Sequence, residues 1–205
     1  MRSANPPVRM SARMTESLIS AVVPAAGAST RFGSRKLLAD VDGAPLLQRT
    51  LAALLQAGVD RVILVVRDGD TFVGIDALGD PRLTMVSNPD PERGMFSSIQ
   101  AGLAAISGPG PVLVIPADMP FVATATVAAI AGRAATTGDV VIPVHDGRRG
   151  HPIALPGRLR APLLALDPTT TLKLALARLH PAVTLIEVAD PGIVRDVDTP
   201  ADLGR

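Results

Sequence analysis

Ala21-Val22-Val23-Pro24-Ala25-Ala26-Gly27-Ala28-Ser29-Thr30-Arg31-Phe32-Gly33-Ser34-Arg35-Lys36-Leu37-Leu38 begins as a short apolar run and empties into small residues, two glycines and three cations. The run reads as a buried strand and the rest as a strand-to-helix loop. Small residues let backbone N–H groups approach an anion closely, and Arg31, Arg35 and Lys36 supply the charge that amides lack. Lys36 stands out because the chain has only one other lysine, Lys173, against eighteen arginines. A compact ammonium on a mobile stem suits a phosphate oxygen. Gly27 and Gly33 are too far apart, and Lys36 is wrongly placed, for either the P-loop or the dinucleotide Gly-x-Gly-x-x-Gly. The stretch is therefore a third kind of nucleotide loop, or else a plain turn with solvated arginines.

Composition narrows the function classes. The 205 residues suit one α/β domain. Four Phe with no Trp or Tyr leave few stacking platforms for single-stranded nucleic acid, and a net charge of +1 offers no basic field for a duplex. No nucleic-acid partner is expected. The absence of cysteine removes thiolate metal sites, disulfides and cysteine nucleophiles, and three scattered histidines suggest no zinc site. Any metal would be oxygen-bound. Every apolar run is broken by Pro, Gly or charge before it could span a bilayer, so no membrane association is expected either. Residues 1–19 read as a disordered leader or a misassigned start, with Met10 and Met14 as later start sites, and residues 20–205 as a single domain located in the cytoplasm.

Outward from the loop, strands and helices alternate. Helical spacing over 46–55 ends near Gly58; strands are expected at 61–66, 83–86 and 111–115, and helices around 71–78 and 95–106. The strands are continuous β-branched runs rather than alternating ones, which predicts a mostly parallel sheet covered by helices on both faces. In such sheets ligands sit outside the carboxyl ends of the strands, where the loop, Asn88 and Asp118 all fall. The second half is less regular: a helix over 124–135, a strand over 139–144, a tight reversal at 145–150 into an antiparallel excursion over 151–155, helices over 157–166 and 170–180, and a strand over 183–188. Thr199-Pro200-Ala201-Asp202 reads as a helix start.

Four places carry chemistry. Asp118 leaves a buried strand between Pro116 and Pro120, on the rim where the loop should hold phosphates. A carboxylate there repels phosphates unless a cation intervenes, and magnesium commonly takes one or two carboxylates plus phosphate oxygens. Asp198 is either the second carboxylate or one of three acids at a helix start. Gly94 to Ser98 opens a helix with a glycine and two hydroxyls, able to hold a base or ribose or simply to cap the helix. Gly150-His151-Pro152 either touches substrate or starts an edge strand with a structural histidine.

Assembled, these pieces resemble the MobA-like nucleotidyltransferases, and most closely the molybdenum cofactor cytidylyltransferases among them. The resemblance spans residues 21–203. It rests on Ala25-Ala26-Gly27-x-Ser29-x-Arg31-x-Gly33-x-x-Lys36-Leu37-Leu38, Asn88-Pro89-Asp90 with Gly94 and Ser98, Asp118-Met119-Pro120, Gly150-His151-Pro152, and Asp196-Val197-Asp198-Thr199-Pro200. It implies a Rossmann-like α/β fold of the nucleotide-diphospho-sugar transferase type. It also implies transfer of CMP from CTP to the terminal phosphate of molybdopterin, with release of pyrophosphate, by positioning and charge neutralisation. The implied nucleotide contacts are Ala25, Ala26, Gly27, Ser29, Arg31, Lys36, Asn88, Gly94 and Ser98. Arg31, Lys36 and Asp118 would be catalytic, Asp118 and Asp198 would hold Mg2+, and Gly150 and His151 would meet the acceptor. A molybdoenzyme would receive the product. Guanylyl-transferring relatives tend to carry Gly at the place of Ala26 and a different run at Gly94 to Ser98, so CTP is the expected donor. Pro24, Phe32 and Arg67-Asp68-Gly69 depart from the family's usual residues.

Overall fold

The computed structural model describes residues 18–27, 33–199 and 201–202. Residues 1–17 of the leader expected over 1–19, and the expectations on Ser29, Arg31 and Pro200, lie outside the described residues, while Ile19 N–H donates to Asp60 Oδ2 at 2.8 Å. In chain order the strands are β1 (Ser20–Pro24), β2 (Asp40–Val41), β3 (Ala44–Pro45), β4 (Arg61–Arg67), β5 (Leu83–Asn88), β6 (Val112–Val114), β7 (Val140–His145), β8 (Arg148–Arg149), β9 (Ile153–Leu155) and β10 (Val183–Glu187). The α-helices are α1 (Leu46–Gln56), α2 (Met95–Ala105), α3 (Thr124–Thr137), α4 (Arg160–Leu164) and α5 (Leu172–Leu179).

The main sheet has the order β10-β7-β9-β6-β1-β4-β5, with β8 paired to the end of β7. Strand β1 lies between β4 and β6, parallel to both, and β5 continues the parallel block beyond β4. Strands β7 and β10 form a second parallel pair. The chain thus bears out the expected α/β class, a mostly parallel sheet.

Continuous apolar strands are buried on both faces because helices cover both. Ala21 and Val23 of β1, with Leu64 of β4, face Leu47, Leu51 and Leu54 of α1 and Val127 and Ile130 of α3. Val22, Ile63 and Val65 face Phe96, Ile99 and Leu103 of α2, in a cluster that also takes in Leu163 of α4 and Ala175 of α5. Successive side chains of one strand therefore feed two separate apolar layers.

Three sequence expectations need correction. The helix expected over 71–78 is a single 3-10 turn, Asp76–Gly79, because Gly69 and Gly74 adopt φ of 81° and 83° and break the run. The helix over 157–166 divides into a 3-10 turn, Gly157–Leu159, and the short α4. Strand β9 is not an edge: it is antiparallel to both β6 and β7 and lies between them, with Ala154 and Leu155 fully buried. At the expected C-terminal helix start, Asp202 N–H donates to Thr199 O at 3.0 Å, and Asp202 Oδ2 accepts from Thr199 N–H and Oγ1–H, both at 2.8 Å, and from Asp198 N–H at 3.2 Å.

Candidate active site

Strand β6 delivers Asp118 to the carboxyl rim. After Val114 the chain continues to ladder on β1, Ile115 N–H donating to Val22 O and Ala117 N–H to Pro24 O. The buried Thr50 hydroxyl of α1 donates to Ala117 O at 3.0 Å. The Asp118 carbonyl then accepts Val197 N–H at 3.0 Å, which sets Asp198 beside Asp118 across 80 residues of chain. From the other side, a 3-10 turn (Gly33–Leu38) brings in Lys36. Its Nζ donates to Asp118 Oδ2 at 2.9 Å and to Asp198 Oδ1 at 3.1 Å. Side-chain exposure is graded, 9% for Lys36 against 25% and 65% for the two aspartates, so the carboxylates open to solvent while the ammonium lies inside them.

Burial pulls the Lys36 pKa down, but the hydrogen bonds and charges of Asp118 and then Asp198 outweigh it and hold the ammonium above its usual 10.5. Lys36 is charged throughout the working range. The two carboxylates are also groups that could hold a divalent cation. Among the described residues no group of three or more His, Asp or Glu side chains could hold a metal ion. A cation that takes one or two carboxylates and completes its shell with phosphate oxygens and water fits this donor set.

His151 enters the same rim because β9 runs antiparallel to β6, which puts its amino end beside the carboxyl end of β6. Its N–H donates to Ile193 O at 2.9 Å. Its Nδ1 lies 3.2 Å from Val114 O and must carry the proton, since a carbonyl only accepts. Burial lowers the His151 pKa below 6.5 against the raising effects of the Val114 carbonyl and the charges of Asp118 and Asp196. For a base with a depressed folded pKa, the unfolded chain binds the proton first as pH falls through 6.5. Stability therefore drops on acidification from pH 7.5 to 5.5. Urea denaturation of wild type and His151→Gln at the two pH values checks this, and equal pH slopes in both proteins would show that His151 contributes nothing.

The remaining predicted residues divide. Ala25 and Ala26 follow β1, with Ala25 N–H donating to Val65 O at 2.7 Å, Ala26 fully buried and Gly27 exposed. Asn88 ends β5, but both its Nδ2 hydrogens are spent, on Ser97 Oγ at 2.8 Å and Ser98 Oγ at 3.0 Å, while its Oδ1 accepts Asp90 N–H. It therefore has no amide donor left for a base. Gly94 has φ 98°, a conformation side chains resist, and it starts α2 against this network. Gly150 is required by packing: a Cβ there would collide with the Ile193 carbonyl.

Sequence reasoning missed the residues that assemble the site. Asp190, buried, accepts from Ala123 N–H at 2.9 Å, Thr126 Oγ1–H at 2.6 Å and Gly192 N–H at 2.9 Å. Arg195 stacks on Phe121, its guanidinium 3.6 Å from the ring centre. Together they fasten the segment carrying Asp198 to the loop after Asp118. The Asp190-Pro191-Gly192 turn signal was visible, but not its distant partners.

Residues 21–183 match the MobA-like NTP transferase domain. A probable molybdenum cofactor guanylyltransferase of Chloroflexus aggregans is 32% identical over 184 residues, covering 85% of this chain and 81% of that protein. The molybdenum cofactor cytidylyltransferase of Escherichia coli is 26% identical over 187 residues, covering 91% and 94%. Among solved structures, Rv0371c of Mycobacterium tuberculosis superposes with a TM-score of 0.75 at 26% identity, covering 92% of this chain and 96% of that one. Its complex with manganese superposes at 0.68.

Proposed function

The chain belongs to the MobA-like NTP transferase domain family, and from this membership we propose that it transfers CMP from CTP to the terminal phosphate of molybdopterin. The observation that carries the reading is the pairing of Asp118 and Asp198 about Lys36 at the carboxyl rim, next to the loop that follows β1. A nucleotidyltransferase needs cations around a triphosphate and carboxylates to hold a metal there, and this cluster supplies both kinds of group. Residues 20–205 are read as one nucleotidyltransferase domain, which the continuous main sheet supports.

In this reading the acceptor phosphate attacks the α-phosphorus, the bond to the bridging oxygen breaks and pyrophosphate leaves. Mg2+, held by Asp118 and Asp198, would supply charge neutralisation at the triphosphate. The backbone of 25–27, with Arg31 and Lys36, orients the phosphates, and Gly150 and His151 line the acceptor side. Asn88, Gly94 and Ser98 shape the base side through their mutual packing. No helix among the described residues is long and apolar enough to cross a membrane, in keeping with a cytoplasmic enzyme whose product passes to a molybdoenzyme.

GTP is the second reading, because the guanylyltransferase relative is the more similar of the two, 32% against 26% identical. Ala26 favours CTP: its methyl group is buried where the guanylyl branch tends to have Gly. Incubation with molybdopterin, Mg2+ and each NTP in turn, followed by pyrophosphate measurement, separates the readings. CTP is expected to react at least about tenfold faster than GTP. Preference for GTP overturns the cytidylyl assignment, and no release with any nucleotide points to a cofactor-binding module without chemistry.

A further inference from the structure

Two tasks compete for the Lys36 ammonium. The family resemblance implies that it holds the triphosphate, yet in the structure its Nζ lies between Asp118 Oδ2 and Asp198 Oδ1. Two of its three N–H donors are used there, and the side chain is 9% exposed. A divalent ion bound by these carboxylates would sit about 2.1 Å from their oxygens, within a few ångströms of an ammonium hydrogen-bonded to the same groups. Two cations so close repel, and the carboxylate lone pairs that serve one are lost to the other.

We propose that Lys36 is an exchangeable internal counter-ion: it holds Asp118 and Asp198 together, a divalent cation displaces it from them, and its ammonium then swings to the nucleotide phosphates. The inference rests on the reading of the two aspartates as metal ligands. Its mechanical requirement is a side chain able to reach two anionic partners from one backbone position, and the four-carbon lysine stem meets it. Exchange makes metal and nucleotide binding cooperative. The metal alone must evict the ammonium from two partners, whereas the nucleotide offers the evicted ammonium a new one.

The test uses Mn2+ as the probe, without nucleotide. In Lys36→Met and Lys36→Gln the carboxylates have no resident cation, so Mn2+ affinity is expected to rise about tenfold over wild type, and added CTP should enhance it less than in wild type. A second measurement needs no variant. The chain has only two lysines, and Lys173 is exposed on α5. In wild type, Mn2+ should raise the acetylation rate of Lys36 relative to Lys173 several-fold, and CTP should suppress it again. Unchanged or weaker Mn2+ affinity in both variants, or a Lys36 to Lys173 ratio unmoved by Mn2+, overturns the exchange. Asp118→Asn and Asp198→Asn identify the source of a failure. If these bind Mn2+ like wild type, the aspartates are not the metal site and the reading beneath is at fault; if they lose Mn2+ while Lys36 reactivity stays constant, the exchange alone is wrong.

Discussion

Replacing Asp118 by Asn is expected to lower kcat by about 10³-fold or more while leaving the protein folded. The side chain is isosteric, and its amide oxygen still accepts from Lys36. The backbone carbonyl keeps Val197 N–H, so the segment carrying Asp198 stays in register. Removed instead is one of the two negative charges proposed to hold a divalent cation. A neutral amide is a far weaker ligand for a hard cation than a carboxylate. In the proposed reaction a cation held here would stabilise charge on the leaving pyrophosphate, so the loss should fall on turnover more than on nucleotide binding. Pyrophosphate release under single turnover, with circular dichroism as the folding control, checks it. Activity within a few fold of wild type would remove Asp118 from the mechanism.

The second large effect lies away from the rim. Asp190→Ala withdraws the acceptor from three donors at once: Ala123 N–H and Thr126 Oγ1–H at the start of α3, and Gly192 N–H. Each buried donor left unpaired costs about 1 kcal/mol or more. The total is about 3 kcal/mol, a large fraction of the stability of a domain this size. A melting temperature lower by about 10 °C should follow. The same change loosens the segment that presents Asp198, so Mn2+ affinity should fall as well. Asp190→Asn, which keeps the shape but turns a donor toward a donor, should lie between. A variant melting within 2 °C or so of wild type would show that the three hydrogen bonds do not anchor this segment.

The parallel half of the fold was legible because burial on both faces writes itself into continuous runs such as Arg61 to Arg67. The motif residues were legible where chemistry demands one residue type, as at Lys36 and Asp118. Their arrangement was not. That Lys36 lies between the aspartates depends on Val197 N–H meeting Asp118 O, a contact between segments far apart in the chain. Asn88 was read by its position at a strand end, yet its donors are spent inside, on Ser97 and Ser98. At Gly150 the close carbonyl of Ile193, a partner far along the chain, excludes a side chain whatever the residue meets on the rim. The interior place of β9 left no local trace, because three residues are too few to display a burial pattern.

That short strand has a consequence for how the molecule comes apart. Among the described residues, the block β5-β4-β1-β6, which bears Lys36 and Asp118, and the pair β7-β10 are joined in the sheet through β9. Neither block can present a continuous ladder to the other until β9 is laid between them. The sheet therefore has a seam at β9, and the apolar layers on its two faces, which take in residues of both blocks, hold it closed. Since His151 leads directly into the seam, the side of the rim assigned to the acceptor and the side assigned to the nucleotide meet along the same line.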